Sequence, residues 1–134
     1  LPARPSRFGI SEMIPSEYQL RHQDYTGTEF ERGHLMPREA AASYPDALED
    51  IDVMSNIAPM RGRGSTGINQ GIWRSYERLA GEQAAEYGWI RVVVEVVTLP
   101  GSGVSGALPE VTGFTRTHYA PNGEVIMGVS IPNH

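Results

Sequence analysis

Cysteine and lysine are both absent from this 134-residue chain, and no apolar run approaches the eighteen or so residues of a membrane-spanning helix. Without cysteine there is no disulfide framework and no thiolate zinc centre, while reducing and oxidising compartments stay equally open. Without lysine all eleven basic side chains are arginine. Arginine is the better bidentate phosphate ligand. Alanine, glycine and proline are abundant as well, however, so the bias reads as base composition of the gene and carries no functional inference. The opening Leu1-Pro2-Ala3-Arg4-Pro5 has neither an initiator methionine nor a signal-like apolar stretch, as expected of a processed or trimmed protein.

What is present suits a loop-rich globular protein, with 40% hydrophobic and 20% charged residues, 15 glycines and 10 prolines. The length predicts a single domain over residues 1–134. A formal net charge of -5 argues mildly against a nucleic-acid partner, because phosphate-binding surfaces need cations. Distribution matters more than the sum. Glu39, Asp46, Glu49, Asp50 and Asp52 form an acidic stretch without a base, whereas between Val53 and Gly81 the four arginines Arg61, Arg63, Arg74 and Arg78 face only Glu77.

Short strands are predicted over Arg7 to Ile14 and Glu17 to His22, followed by the turn-rich Asp24 to Thr28. Arg38 to Ala47 reads as a short helical turn or an acidic surface loop, and Ile51 to Met54 as a strand that delivers Ser55 and Asn56. From Ile68 the apolar positions Ile72, Trp73, Tyr76, Leu79 and Ala80 recur at helical steps. This predicts one amphipathic helix to about Tyr87, stopped by Gly88 and capped by Ser65 or Thr66. The valine-rich Trp89 to Leu99 is the clearest strand, followed by a flexible loop from Gly101 to Gly106. Phe114 to Tyr119 and Val125 to Ile131 form a strand pair around the turn Pro121-Asn122-Gly123. Strands around one long helix, without βαβ alternation, point to an α+β fold with a mainly antiparallel sheet.

Glu31-Arg32-Gly33-His34 packs an acid, a guanidinium, a glycine and an imidazole into one short segment. Imidazole can take a proton from water near neutrality, and arginine can hold negative charge growing on a phosphoryl group. Asn69 and Glu77 stand eight residues apart, on the order of 12 Å along an ideal helix, so they can border one groove without touching. An amide oxygen plus a water-bridged carboxylate suits Mg²⁺, a hard cation that keeps several waters. By pattern alone, His34 is more often a solvated loop residue than a base, Asn69 more often a helix-start residue and Glu77 more often a solvated face residue than metal-site groups. His22 and His118 lack a partner at any usual zinc spacing and read as structural or surface. Trp73 and Tyr76 lie on the apolar helix face and read as core.

In chain order, Arg-Gly-His-Leu-Met-Pro at 32–37, Ser-Asn-Ile-Ala-Pro at 55–59 and Asn-Gln-Gly-Ile-Trp-Arg-Ser-Tyr-Glu at 69–77 resemble the DNA/RNA non-specific endonuclease family. That family carries the ββα-metal, or His-Me finger, site. Tyr25-Thr26-Gly27 and the closing Ile131-Pro132-Asn133 are similar to the family's pattern too. The resemblance spans roughly Tyr18 to Asn133, with its specific part between Glu31 and Glu77.

The resemblance implies His34 as the general base that activates water for attack on phosphorus. It implies Asn69 as the direct protein ligand of Mg²⁺ or Mn²⁺, and Glu77 as holder of the cation's water, with the long helix carrying both. The cation would neutralise charge on the leaving 3′-oxygen. Arg32 is the arginine of the same motif, expected to contact phosphate or stabilise the transition state rather than to form a surface pair with Glu31 or Glu29. Asn56 is expected to support the site by hydrogen bonding. Arg61 and Arg63 have no fixed place in the family pattern; as loop arginines they would bind the backbone without reading bases. Arg74 and Arg78, one turn apart, read as salt-bridging residues.

The family usually has aspartate where this chain has Glu31, which leaves the role of that acid open. Its domain also commonly continues beyond the position of His134, so the chain is either a compact member or a domain without its C-terminal part. The implied activity is metal-dependent hydrolysis of DNA and RNA with little sequence preference, in a secreted or periplasmic setting and with no membrane partner. Two other readings compete: a catalytically inactive nucleic-acid-binding module derived from this fold, and a toxin nuclease with the same chemistry held by an inhibitor or immunity protein.

Overall fold

A computed structural model describes residues 3–5, 8–41, 44–102 and 108–134. The fold is α+β, with antiparallel sheets and one long helix. Strands β1 (Phe30–His34) and β2 (Ile57–Arg61) form a two-stranded ribbon in which His34 lies opposite Ile57 and Phe30 opposite Arg61. Between them lie short 3-10 turns and the single-turn helix α1 (Leu48–Ile51). The long helix α2 (Arg74–Tyr87) follows β2, giving a β-β-α unit. It ends at Gly88, whose φ of 88° is one that side-chain-bearing residues rarely adopt. Strands β3 (Arg91–Thr98), β4 (Val111–Tyr119) and β5 (Val125–Pro132) complete a second sheet with β4 in the middle.

The main core joins the two sheets and the helix. Ala58 and Met60 from β2, Ile68 and Trp73 from the entry to α2, and Val111, Phe114 and Ile131 from the three-stranded sheet pack together. Trp73 is fully enclosed, its ring 5.3 Å from that of Phe114, with half-buried Tyr76 against the same cluster. Burying a side chain of this size contributes on the order of 3 kcal/mol.

Asn133 adds a polar weld between the sheets. Its side chain accepts from the Arg61 backbone N–H at 2.8 Å and donates to the carbonyls of Pro59 at 3.1 Å and Val111 at 2.8 Å. Pro59 has no N–H to offer a ladder, which a ribbon strand tolerates and a central strand would not.

Several local expectations fail, for tertiary reasons. Glu17 to His22 is not a strand; 3-10 turns cover Ser16–Tyr18 and His22–Tyr25. There Gln19 ties its amide to the Ser11 and Ile14 carbonyls, and Asp24 accepts from the Arg21 N–H. In the first predicted strand Gly9 alone among the described residues pairs, as an isolated bridge to Val53. Ile51 to Met54 is no strand either: α1 ends at Ile51, and a 3-10 turn over Met54–Asn56 leads into β2. The long helix does not run regularly from Ile68. Asn69–Trp73 is a π-type turn, kinked where Gly71 takes φ -96° and ψ -109°, and no side chain caps it. Of the loop expected from Gly101 to Gly106, residues 103–106 lie outside the described residues. Among the described residues no helix is long and apolar enough to cross a membrane.

Candidate active site

Arg32 and His34 are two residues apart on β1 and therefore emerge on the same face of the ribbon. Gly33 between them is buried on the other face, where a Cβ would collide with the Met60 side chain. The residue type at Gly33 thus sets how closely β1 sits on the core. Its position in turn sets where the imidazole stands.

His34 is held from several sides. Its backbone carbonyl accepts a hydrogen bond from the Trp73 indole at 3.1 Å, and the Phe8 ring meets the imidazole edge-on at 5.0 Å. Nε2 lies 3.0 Å from Asp52 Oδ1, and the other oxygen of that carboxylate accepts from Arg38 Nε at 3.1 Å. Burial pushes the imidazole below its ordinary value of 6.5, and Arg4 and Arg38 add to this against the opposing pull of Asp52. His34 is therefore neutral at neutral pH and able to accept a proton.

Asn56 does not touch the imidazole; it shapes the chain just after it. Its amide donates to the Met36 and Ile51 carbonyls at 2.9 and 3.1 Å, its side-chain oxygen accepts from the Met36 N–H, and its backbone carbonyl accepts from Leu35 N–H. Arg32 Nη1 lies against the His22 ring, and its guanidinium stands 5.5 Å from the centre of the Phe8 ring. The ion pair with Glu29 belongs instead to Arg61, and Glu31 accepts from Gln70 at 2.8 Å.

One cleft of about 920 Å³ collects Arg32, His34, Asn69 and Glu77, together with Glu31 and Arg63. The π-type turn brings Asn69 there, anchored by Ile68 N–H to the Arg61 carbonyl at 3.0 Å and by Trp73 N–H to the Ile68 carbonyl, five residues back, at 2.9 Å. Such turns recur at functional sites because they re-aim side chains that a regular helix would misplace. Glu77 is half-buried, and desolvation raises its carboxyl from 4.5 to about 7, even though Arg116 pulls the other way. Nearby, Glu31 Oε1 is buried with no hydrogen-bond partner among the described residues.

A divalent cation fits this donor set. The groups are hard oxygens, burial disfavours ionisation of one carboxyl, and among the described residues one carboxyl oxygen has no hydrogen-bond partner. Among the described residues no group of three or more His, Cys, Asp or Glu forms an all-protein cage. Asn69 and Glu77 would thus share the ion with water.

The lining also reverses the inference from net charge. Arg4, Arg32, Arg38, Arg63, Arg74 and Arg78 face the cleft against the carboxylates of Glu31, Glu39 and Glu77 alone. Arg74 and Arg78 were expected in salt bridges; neither forms one among the described residues. Arg61 does not line the cleft. It is engaged by Glu29, the Asn133 carbonyl and the Phe30 ring.

The chain matches the DNA/RNA non-specific endonuclease family over residues 2–133. It belongs to that family. Nuclease C1 of Cunninghamella echinulata var. echinulata is 26% identical over 96% of this chain and 46% of its own length. The mitochondrial endonuclease G of Homo sapiens is 26% identical over 77% of this chain and 33% of its own. The chain therefore spans under half of each of these relatives. Among solved structures, one described as the EndoG/EndoGI complex superposes with a TM-score of 0.75 at 19% identity, covering 92% of this chain and 56% of the other. That likeness carries the EndoG-like fold.

Sequence reasoning missed Asp52 and Arg38 as neighbours of His34, and Phe8 as its packing partner. Asp52 is 18 residues from His34 and sits in what reads as a solvated acidic stretch. No spacing rule marks it.

Proposed function

We propose that the protein is an endonuclease that uses Mg²⁺ or Mn²⁺ to hydrolyse phosphodiester bonds of DNA and RNA with little sequence preference. The observation that carries this reading is a buried His34 in the same arginine-lined cleft as Asn69 and Glu77. Membership of the nuclease family supports it.

His34 accepts the proton of a water aligned for attack on phosphorus. Arg32 bears on the phosphoryl oxygens, and Arg63, Arg74 and Arg78 grip flanking phosphates without reading bases. Asn69 would hold the cation directly and Glu77 through water, and the ion would supply charge neutralisation at the leaving 3′-oxygen. Asn56 keeps the chain leaving β1 in place, so that His34 and the helix entry stay in register.

The test is cleavage of plasmid DNA and of a structured RNA with Mg²⁺, with and without EDTA, by wild type and His34→Ala. Cleavage of both substrates, abolished by EDTA and reduced about 100-fold or more in a folded His34→Ala, is expected. Full activity in that variant overturns the mechanism. Binding of nucleic acid without cation-stimulated cleavage would favour the inactive binding module instead.

A further inference from the structure

Asp52 lies behind His34 and is not among the residues that line the cleft. Its surroundings are nonetheless highly determined. The residue is 9% exposed; its backbone N–H closes the end of α1 on the Leu48 carbonyl at 2.7 Å, and its carbonyl accepts from Gly9 at 2.8 Å. The two carboxylate oxygens are divided, one to His34 Nε2 and the other to Arg38 Nε. This division fixes the plane of the carboxylate, and with it the direction from which the imidazole is held.

We propose that Asp52 is the positioning residue of the general base, holding His34 as the Nε2–H tautomer so that Nδ1 is the nitrogen that accepts the proton from water. This rests on the reading of His34 as the base. A carboxylate oxygen can only accept from Nε2, and which ring nitrogen carries the proton is set by the partner of the other. Among the described residues Nδ1 makes no hydrogen bond, which leaves it available.

When water gives up a proton, the new N–H forms at Nδ1 and the O–H electron pair goes to phosphorus. Nε2 keeps its hydrogen, and the resulting imidazolium faces the Asp52 carboxylate, which stabilises it without taking the proton. Arg38 on the far oxygen and Arg4 on the approach bias the resting imidazole towards its neutral form. Phe8 closes the remaining side, and the other charged groups in the cleft, Glu31, Arg32, Glu39, Arg63, Arg74, Glu77 and Arg78, stand on its lining.

Asp52→Asn keeps the shape of the side chain but lets its amide donate to Nε2, which forces the proton onto Nδ1. The expected result is a fall in kcat of about 100-fold or more with a much smaller change in KM, because Asp52 itself is not part of the cleft lining and Arg38, its partner there, can still meet the amide oxygen. The acid limb of the kcat/KM profile moves to lower pH as the imidazolium loses its counter-charge. Nitrogen-15 spectra of the His34 ring supply a readout that does not depend on activity. Wild type at pH 8 should show a protonated Nε2 and an unprotonated Nδ1, with the pattern exchanged in Asp52→Asn.

An Nδ1–H tautomer in the wild type overturns the proposal, as does kcat within threefold of wild type in Asp52→Asn. Should the wild type cleave no nucleic acid, the enzymatic reading fails separately, while the ring spectra still decide whether Asp52 sets the tautomer. If Asp52→Asn does not fold, the wild-type spectrum alone settles the point.

Discussion

Glu77 sets activity against stability in a way that a single neutral replacement exposes. The fold raises its carboxyl from 4.5 to about 7, chiefly by desolvation, so the native state favours the protonated form. The contribution to stability is complete below the unfolded value of 4.5 and is lost as pH rises through about 7. At roughly 1.4 kcal/mol per pH unit, that loss is worth about 3 kcal/mol.

Glu77→Gln keeps the size and removes the charge, so the variant never has to hold a buried anion. Without divalent cation, its unfolding free energy relative to wild type should grow by about 3 kcal/mol between pH 4.5 and pH 8. For a chain of this length that corresponds to roughly 10 °C in Tm. Thermal melts in EDTA across this range, monitored by circular dichroism, provide the measurement. With the proposed cation site, millimolar Mg²⁺ should then narrow the gap at pH 8, because an ion bound at Glu77 would stabilise the native wild type by mass action. Nuclease activity should fall in the variant even where its Tm is higher, the exchange expected of a residue retained for function. A pH-independent difference between the two proteins would refute the reasoning, and so would a gap that shrinks as pH rises.

The opposite slope belongs to His118, whose imidazole is fully enclosed, accepts from Arg116 Nε at 2.8 Å and donates from Nδ1 to Gln83 at 2.6 Å. Burial, then Arg116, lowers it from 6.5 to about 4, so its share of stability is present above 6.5 and lost as pH falls towards 4. His118→Gln, which can still accept from Arg116, should flatten the acid limb of a Tm profile recorded in the Glu77→Gln background, where no opposing carboxyl masks it. Asn133→Ala leaves the Arg61 N–H and the Pro59 and Val111 carbonyls without their partner and should cost about 3 kcal/mol in urea unfolding; a loss under 1 kcal/mol would remove the weld between the sheets from the account. Arg78→Ala should weaken DNA binding equally across sequences and reduce the slope of log affinity against log salt by about 1, whereas a surface salt-bridge role would leave that slope unchanged.

The parts of this protein that could be read in the sequence are those whose cause is local. The β4–β5 pair follows from alternation on either side of Pro121-Asn122-Gly123, β3 from its valines, and the end of α2 from Gly88. His34, Asn69 and Glu77 were singled out by their order in motifs that resemble the family's, where residue type alone favoured a bland role for each, and all three line one cleft. Their convergence on one cleft needs the π-type turn at Asn69–Trp73, and that turn comes from the Arg61 anchor and the Gly71 kink rather than from helical periodicity. Asp52 is the extreme case: nothing within ten residues of it distinguishes it from Glu49 or Asp50. Its carboxylate acquires a role only because the bridge between Gly9 and Val53 and the end of α1 present it to an imidazole on another element. Pattern therefore locates residues that share one cleft, and tertiary structure is needed to find the carboxylate that holds one of them from behind.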